Sequence, residues 1–319
     1  MYNNSIRSLA FYTRGFMGLS AMLAMGLGAM AAPAEAQPFA YVTNMSLDPP
    51  HIPGTVSVID TAAIPPKVVG NPITVGFAPQ GVAVTQDGTR VYVVNTSASV
   101  SVIDTTKNPP TVATVSVGLH PFGVAITPDG TRAYVTNGFE NTVSVIATAT
   151  NTVGTPIPVG NNPQAVAITP DGTRAYVANA GSNTVSVIDT NPSDMQFNKV
   201  VGSPITVGNT SQGVAITPDG TRAYVTNAGG TTVSVIDTNP ASPTRNTVVA
   251  TVAVGQSPVG IAITRTAKAP TCRTTSTHRV GDRHEPGRHA FQHGGGHGGG
   301  GQSSSVRRHY PAAHDRYFP

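Results

Sequence analysis

Short apolar tracts alternate with turn residues along most of the chain, from about residue 40 to residue 264. Each tract is about four to eight residues long, rich in Val, Ile, Thr and Tyr, and bounded by Gly, Pro, Asp or Asn, which is typical of β-strands. Gly123–Thr127, for example, is followed by Pro-Asp-Gly and then by Tyr134–Asn137 and Val143–Ala147. No tract reaches helical length, so the pattern predicts strands joined by tight hairpins.

These tracts recur in a fixed order around the tetrapeptide Asp-Gly-Thr-Arg, which begins at residues 87, 129, 171 and 219. Each copy follows a tract like GVAIT (strand A) and precedes tracts like AYVTN (strand B) and VSVID (strand C); a looser tract ending in Val-Gly (strand D) closes the unit. Four antiparallel strands in about 42 residues match one blade of a β-propeller. A solenoid of flat rungs is the alternative, but its rungs are shorter and lack two hairpins per unit.

The strand count predicts about five blades. The chain begins with strands B, C and D of one blade, continues through four blades, and ends on a last strand A at Gly260–Thr264. If this last strand pairs beside Tyr41, the ring closes at five blades and hides its edge strands.

Charge is distributed unevenly. The whole chain carries a formal net charge of +4, yet residues 37–264 hold eight basic and eleven acidic residues. The basic excess lies at the two ends, so we expect no nucleic-acid partner for the propeller. The single Cys excludes a disulfide scaffold and a Cys-based structural zinc site.

Residues 1–36 have the pattern of a secretory signal peptide. Arg7 and Arg14 precede an apolar stretch from Phe16 to Ala32, and Ala34-Glu35-Ala36 forms a small-residue cleavage site. The apolar stretch is shorter than a membrane span requires. We therefore expect an exported protein, periplasmic, extracellular or at the cell surface, with no membrane insertion after cleavage.

Residues 265–319 break the repeat. This segment is rich in Arg, His and Gly, contains seven of the nine His, and is predicted to be disordered. A metal-binding tail is the alternative interpretation of its His residues. Shifted reading of the codons permitted for Thr264–Cys272 and for Arg279–Arg288 can restore the missing strands B and C. We therefore hypothesise that residues 265–319 are an out-of-frame translation.

The strings YVTN, GVAITPDGTRAYV and NTVSVID resemble the YVTN-type β-propeller repeat family of exported and surface-layer-associated proteins. The resemblance covers about residues 40–264. It implies a propeller, usually of seven blades, in a secreted or periplasmic protein, and it implies no defined reaction.

The repeated acidic residues have a structural interpretation. Asp in a Pro-Asp-Gly turn accepts hydrogen bonds from its own backbone, and it recurs once per blade, which is typical of architecture rather than of a unique site. The predicted structural turn residues are Asp87, Asp129, Asp171 and Asp219.

Function is expected where the repeats differ, at the connection from strand D to the innermost strand A, near the mouth of the central channel. The candidate ligand-binding residues there are Gln80, His120, Phe122, Asn161, Gln164 and Gln212. Ordinary loop variation is the alternative.

Because these connections contain amides, one imidazole and Phe rings but no carboxylate, they indicate binding rather than acid–base or metal chemistry. The sequence thus predicts a non-enzymatic exported propeller that presents loops to a protein or glycan at the cell envelope, with no cofactor and no metal. Two alternatives stay open: a lactonase-like hydrolytic propeller, whose relatives place acidic residues, His and often a divalent metal in the channel, and a self-associating surface-layer component.

Overall fold

The computed structural model of the protein describes residues 9–10, 39–45 and 52–264. In this part every regular element is a β-strand, as the spacing of the apolar tracts predicts, and the strands form five separate antiparallel sheets. No helix in the described part has the length and hydropathy needed to cross a membrane. The all-β propeller fold is confirmed.

Each sheet is one blade, and the strands of a blade follow one another in chain order. Blade 1 comprises β1 (Leu9–Ala10), β2 (Phe39–Asn44), β3 (Thr55–Asp60) and β4 (Lys67–Thr74). Blade 2 comprises β5 (Pro79–Val84), β6 (Arg90–Asn95), β7 (Ser99–Asp104) and β8 (Thr111–Ser116). Blade 3 comprises β9 (Pro121–Ile126), β10 (Arg132–Asn137), β11 (Thr142–Ala147), β12 (Thr152–Val153) and β13 (Ile157–Pro158).

The last two blades repeat this order. Blade 4 comprises β14 (Pro163–Ile168), β15 (Arg174–Asn179), β16 (Thr184–Asp189) and β17 (Ile205–Thr206). Blade 5 comprises β18 (Ser211–Ile216), β19 (Arg222–Asn227), β20 (Thr232–Asp237) and β21 (Val248–Ala253). Strand D is the least regular: in blade 3 it is split into β12 and β13, which both pair with β11.

The hydrophobic core lies between consecutive blades. Tyr92 and Val94 of blade 2 pack against Ala133 and Val135 of blade 3, and all four are fully buried. Similar clusters join blade 1 to 2, blade 3 to 4 and blade 4 to 5. Burying one Val or Ile side chain contributes about 1.5–3 kcal/mol, so these interfaces hold the blades together.

The innermost strands approach one another closely, which explains a glycine and a threonine of the repeat. A Cβ on Gly123 would lie 2.5 Å from the carbonyl oxygen of Gln164 in the next blade, so a side chain there would collide with backbone. Thr136 Oγ1 donates to that same carbonyl at 2.8 Å and accepts from the Gly123 amide at 2.9 Å. The Thr of YVTN thus links two neighbouring innermost strands.

The two ends of the described chain do not form the expected closing pair. Gly260–Thr264 has no strand pairing, and the strand beside β2 is β1, with Ala10 opposite Tyr41. The carbonyl of Val259 accepts from Thr226 Oγ1 at 2.9 Å, which holds the chain entering this segment against blade 5. Within the described residues no core cluster joins blade 5 to blade 1. The predicted tail at 265–319 and, β1 excepted, the predicted signal peptide lie outside the described residues.

Candidate functional site at the mouth face

Antiparallel strands give every blade two distinct ends. The A–B hairpins and C–D loops emerge at one end, which we call the turn face. The B–C turns and D–A connections emerge at the other, which we call the mouth face. The residues predicted to bind a ligand all belong to D–A connections or to the first residues of strand A, and they therefore lie on the mouth face.

The D–A connections share one strained residue. The third residue of each has a positive φ, although none is glycine: Ala78 (47°), His120 (53°), Asn162 (50°), Thr210 (53°) and Ser257 (49°). Such a conformation costs about 1–3 kcal/mol and persists only where the surroundings impose it. Because all five blades have it, the conformation belongs to the architecture, while the side chain that occupies it varies from blade to blade.

In blade 3 the D–A connection is bonded to the neighbouring B–C turn. The amide of Gly138 donates to the carbonyl of His120 at 3.0 Å, and the amide of Phe139 donates to the carbonyl of Leu119 at 3.3 Å. A Cβ on Gly138 would lie 3.2 Å from the Phe122 ring, so glycine is what lets the two segments approach. The backbone thus places Phe139 beside His120.

His120 lies between two phenylalanine rings. Its ring stacks on Phe139 with centroids 4.2 Å apart and planes 10° apart, and Phe122 meets it edge-on at 4.7 Å and 63°. Phe139 is 70% exposed, so its second face is open to solvent. The His120 Nδ1 atom is buried and has no hydrogen-bond partner within the described part. These three rings form the centre of the candidate site.

A carboxylate completes this cluster, and the sequence analysis missed it. A Cβ placed on Gly118 would lie 2.4 Å from Glu140 Oε2, so the Glu140 carboxylate sits over Gly118, two residues before His120. The prediction that the mouth lacks carboxylates considered the D–A connections alone. The available signal was the B–C turn: blade 3 has Phe139-Glu140 where blades 4 and 5 have the small residues Gly181-Ser182 and Gly229-Gly230.

Amide side chains extend the site towards blade 4. Gln164 Nε2 donates to Asn162 Oδ1 at 2.8 Å, and the Asn162 amide donates to Asn141 Oδ1 at 2.8 Å. The amide of Asn161 donates to Ser182 Oγ at 3.2 Å. These contacts make a polar rim of neutral groups.

The structure brings some of the predicted residues together and leaves others apart. His120 and Phe122 are in ring contact, and Asn161 and Gln164 lie on the adjoining connection of blade 4. Gln80 is the second residue of the innermost strand of blade 2, and Gln212 is the second residue of that of blade 5. Among the described residues, neither glutamine side chain forms a hydrogen bond with His120.

The turn face carries the repeated acidic residues. Asp87 Oδ1 accepts from the Thr85 hydroxyl at 2.6 Å and from the Thr89 amide at 3.0 Å. The Thr85 hydroxyl in particular holds the pKa of the Asp87 carboxyl below its usual value. The same bonds recur at three further residues: Asp129, Asp171 and Asp219. Each carboxylate is therefore engaged in closing its own hairpin.

The strand-B arginines on the turn face are engaged as well. Their contacts are an ion pair of Arg174 with Asp189 (2.9 Å), an ion pair of Arg222 with Asp237 (2.8 Å), a stack of Arg132 over the Phe197 ring (4.6 Å) and a bond from Arg90 to the Thr148 carbonyl. The last two join one blade to the next. These charged groups hold strand ends and blades together, so their side chains are already engaged in structural contacts.

The metal that the lactonase-like alternative implies has no fitting donor set here. In the part of the chain that the structure describes, no three His, Cys, Asp or Glu side chains group closely enough to hold a metal ion. The mouth cluster offers His120 and Glu140, whereas protein metal sites of catalytic type use three protein ligands. The described residues therefore do not fit a catalytic metal ion.

Comparison with known families identifies the chain. A family model described as "Lactonase, 7-bladed beta-propeller" matches residues 61–212 and, in a second alignment, residues 103–262. The two matches begin 42 residues apart, the length of one repeat, and together they cover most of the described part. The chain belongs to the seven-bladed β-propeller lactonase family. The finer YVTN-type resemblance stays a prediction.

Solved structures agree with this fold. A protein of unknown function from Desulfotomaculum acetoxidans matches with TM-score 0.58 and 22% identity, covering 68% of this chain and 67% of its own. The periplasmic gluconolactonase PpgL of Pseudomonas aeruginosa matches with TM-score 0.56 and 20% identity, covering 69% and 68%. A putative 6-phosphogluconolactonase from Bacteroides uniformis matches with TM-score 0.53 and 18% identity, covering 70% and 69%.

These similarities are partial. The chain spans 67–69% of the length of these three solved chains. It spans 49% of the length of a fourth matching chain, a hydrazine synthase from Kuenenia stuttgartiensis. A search of curated protein sequences finds no significant match.

The lactonase family corrects the sequence-based prediction of function. A non-enzymatic scaffold that only presents loops to a protein or glycan is wrong, and the hydrolytic alternative is favoured. The error had a physical source, since the argument against hydrolysis rested on a mouth without carboxylates, whereas the Glu140 carboxylate lies over Gly118 of the connection that contains His120.

Proposed function

We propose that this lactonase-family propeller hydrolyses lactones at the mouth face of blade 3. Water adds to the carbonyl carbon of the cyclic ester, the ring C–O bond breaks, and the product is the open hydroxy acid. The observations that carry the proposal are the Glu140 carboxylate over Gly118, two residues before His120, and the backbone bonds of Gly138 and Phe139 that join the two turns. An acid–base pair at the mouth supplies what ester hydrolysis requires.

Glu140 is the general base in this scheme. A carboxylate that accepts a proton from the attacking water as the new C–O bond forms accelerates such a step by about 10²–10⁴-fold. Glu140 lies on a short turn between β10 and β11, two well-buried strands, so its backbone is held by the blade. The carboxylate can therefore keep one position relative to a bound ring.

His120 is the electrophilic partner. Its buried Nδ1 has no hydrogen-bond partner among the described residues, and a buried N–H without a partner is costly, so the tautomer that carries its proton on Nε2 is favoured. Nε2–H can donate to the lactone carbonyl oxygen as negative charge develops there. One such donor contributes about 10²–10³-fold to the rate of acyl transfer.

Phe139 binds the substrate. Its exposed ring is fixed from behind by the stacked His120 ring, which makes it a flat apolar platform. The C–H face of a small lactone ring can pack on it, with the polar substituents reaching Gln164 and the other amides of the rim. Because the two stacked rings are only 4.2 Å apart, a lactone that extends past the edge of the Phe139 ring can bring its carbonyl oxygen to the edge of the His120 ring.

We also propose that the protein is exported. The support is the signal-peptide pattern of residues 1–36 together with the absence of Cys from residues 37–264. N-terminal sequencing of the protein recovered from the periplasm or medium tests this: cleavage after Ala36 supports export, and an intact N-terminus retained in the cytoplasm contradicts it.

Lactone hydrolysis is tested by proton release. The full chain is assayed with glucono-1,5-lactone at mildly acidic pH, with spontaneous ring opening subtracted, alongside Glu140→Gln and a turn-face control, Asp194→Asn. We expect turnover by the wild type and the control and about 10²-fold or greater loss in Glu140→Gln. Lack of turnover with glucono-1,5-lactone and with simple γ- and δ-lactones would contradict the proposal.

A further inference from the structure

The charges of the protein are sorted between its two faces. All eight Lys and Arg residues of the described part lie in A–B hairpins, in C–D loops or at the strand ends beside them: Lys67, Arg90, Lys107, Arg132, Arg174, Lys199, Arg222 and Arg245. These segments form the turn face. Every described carboxylate except Glu140 lies there too. The sorting follows from the repeat, because its charged residues stand in DGTR and at the end of VSVID.

The mouth face, by contrast, carries one formal charge among the described residues, and it is negative. The Glu140 carboxylate lies over Gly118, two residues before His120, and the adjoining connection of blade 4 carries neutral amides, of which Gln164 donates to Asn162. Asn162 and its equivalents in the other connections, Ala78, His120, Thr210 and Ser257, follow strand D, so they lie at the same end of the blades. Within the described part of this face, a ligand meets amides, aromatic rings and one carboxylate.

This surface discriminates between two kinds of lactone. A phosphate monoester carries about −1.5 to −2 charges at neutral pH, and proteins bind it through Arg, Lys or amides at a helix N-terminus. Among the residues that the structure describes, the cations lie at the opposite ends of the strands, and the charged side chain on the mouth face is a carboxylate. A phosphorylated substrate would leave its charge without a counter-ion and would be repelled by Glu140.

We propose that the site accepts uncharged sugar lactones and excludes their phosphorylated forms. This inference rests on the proposed lactone hydrolysis and specifies its substrate class. The ring of a neutral sugar lactone packs on Phe139, which is 70% exposed, and its hydroxyl groups exchange hydrogen bonds with the amide rim. Such hydroxyls are both donors and acceptors, as amides are, so the two sets of groups match.

The test compares two substrates and two matched variants of the full chain. kcat/KM is measured for glucono-1,5-lactone and for its 6-phosphate. Leu119→Arg adds a cation at an exposed apolar position beside His120, and Met195→Arg adds one at an exposed position of a C–D loop on the turn face. Circular dichroism shows that each variant is folded.

We expect the wild type to prefer the neutral lactone by at least about tenfold, because an unpaired phosphate charge costs more than a factor of ten in affinity. Leu119→Arg should raise the relative kcat/KM for the phosphorylated lactone by about threefold or more, and Met195→Arg should leave the ratio unchanged. Preference of the wild type for the 6-phosphate, or an equal response of both variants, overturns the inference.

A binding measurement separates failure of this inference from failure of the proposed function. The unreactive gluconolactam and its 6-phosphate are titrated while ligand-observed NMR follows binding. Absence of lactone turnover contradicts the hydrolytic function alone. Tighter binding of the neutral lactam supports the substrate class, and tighter binding of the phosphorylated lactam, or binding of neither, refutes it.

Discussion

The turn face and the mouth face are built from the same repeat, yet they differ in what repeats. On the turn face the same carboxylate closes the same hairpin in four blades, and Thr169 and Asp171 are bonded as Thr127 and Asp129 are. On the mouth face the backbone repeats, with positive φ at His120 and at Asn162, but the side chains do not. The comparison teaches that repetition marks structure here, while function is expected where a repeated backbone carries an unrepeated side chain.

The largest effect is expected from Glu140→Gln on the mouth face. The substitution keeps the size of the side chain and removes the base, so kcat/KM for lactone hydrolysis should fall by about 10²–10⁴-fold. Melting temperature should change little, because Glu140 is exposed and joins no core cluster. Steady-state kinetics and thermal denaturation measure the two quantities. Glu140→Gln with wild-type activity would remove the distinction between the faces.

On the turn face, Asp171→Ala should lower the stability of the fold and leave lactone hydrolysis nearly unchanged. Its carboxylate accepts from the Thr169 hydroxyl, the Thr173 amide and the Thr173 hydroxyl, and losing it removes all three bonds, although the Thr169 hydroxyl keeps the Arg174 carbonyl as an acceptor at 3.2 Å. We expect a destabilisation of about 1–3 kcal/mol with nearly unchanged kcat/KM. Urea denaturation gives the free energy of unfolding. A loss of activity without loss of stability would assign a catalytic role to this face.

Lowering the pH should reduce the stability of the fold through the carboxylates of the turn face. The hydroxyls of Ser242 and Thr244, together with other groups, lower the pKa of Asp237 to about 2. Since the folded-state pKa lies below the unfolded value of about 3.8, this carboxylate stabilises the fold above pH 3.8, and the contribution is lost as pH falls towards 2. Denaturation at several pH values should show a smaller acid loss in Asp237→Asn. An identical pH profile would contradict the assignment.

The smallest expected effect is that of Phe139→Ala. Removing an exposed ring that stacks on His120 should raise KM several-fold, equivalent to about 0.5–1.5 kcal/mol, with a smaller change in kcat. Phe197→Ala is the aromatic control on the turn face, where the ring stacks under Arg132. It should leave KM unchanged. Equal KM changes in the two variants would mean that Phe139 is no specific platform.

The fold was predictable from the sequence because the same strand and turn signals recur in every repeat. Strand periodicity, the Pro-Asp-Gly turn and the order of four strands all point to one blade, and agreement between local signals is what specifies a fold. Closure was not predictable in this way. Pairing of Gly260–Thr264 beside Tyr41 is a long-range contact, and no local pattern decides whether Val259 stays bonded to blade 5 instead.

The candidate site was only half predictable. His120 and Phe122 stood out because the D–A connections could be compared with one another along the sequence. Phe139 and Glu140 belong to a different turn, and only the backbone bonds between Gly138 and His120 show that the two turns meet. Comparing the B–C turns in the same way would have revealed Glu140, since the corresponding turns of blades 4 and 5 are small and uncharged.

The central claim, that lactone hydrolysis takes place on the mouth face, is tested most directly by assaying His120→Ala and Asp171→Ala side by side for lactone hydrolysis and thermal stability. Our account predicts that His120→Ala loses about 10²–10³-fold in kcat/KM at nearly unchanged melting temperature, while Asp171→Ala melts lower and keeps its activity. Full activity in His120→Ala together with inactive but stable Asp171→Ala would contradict it.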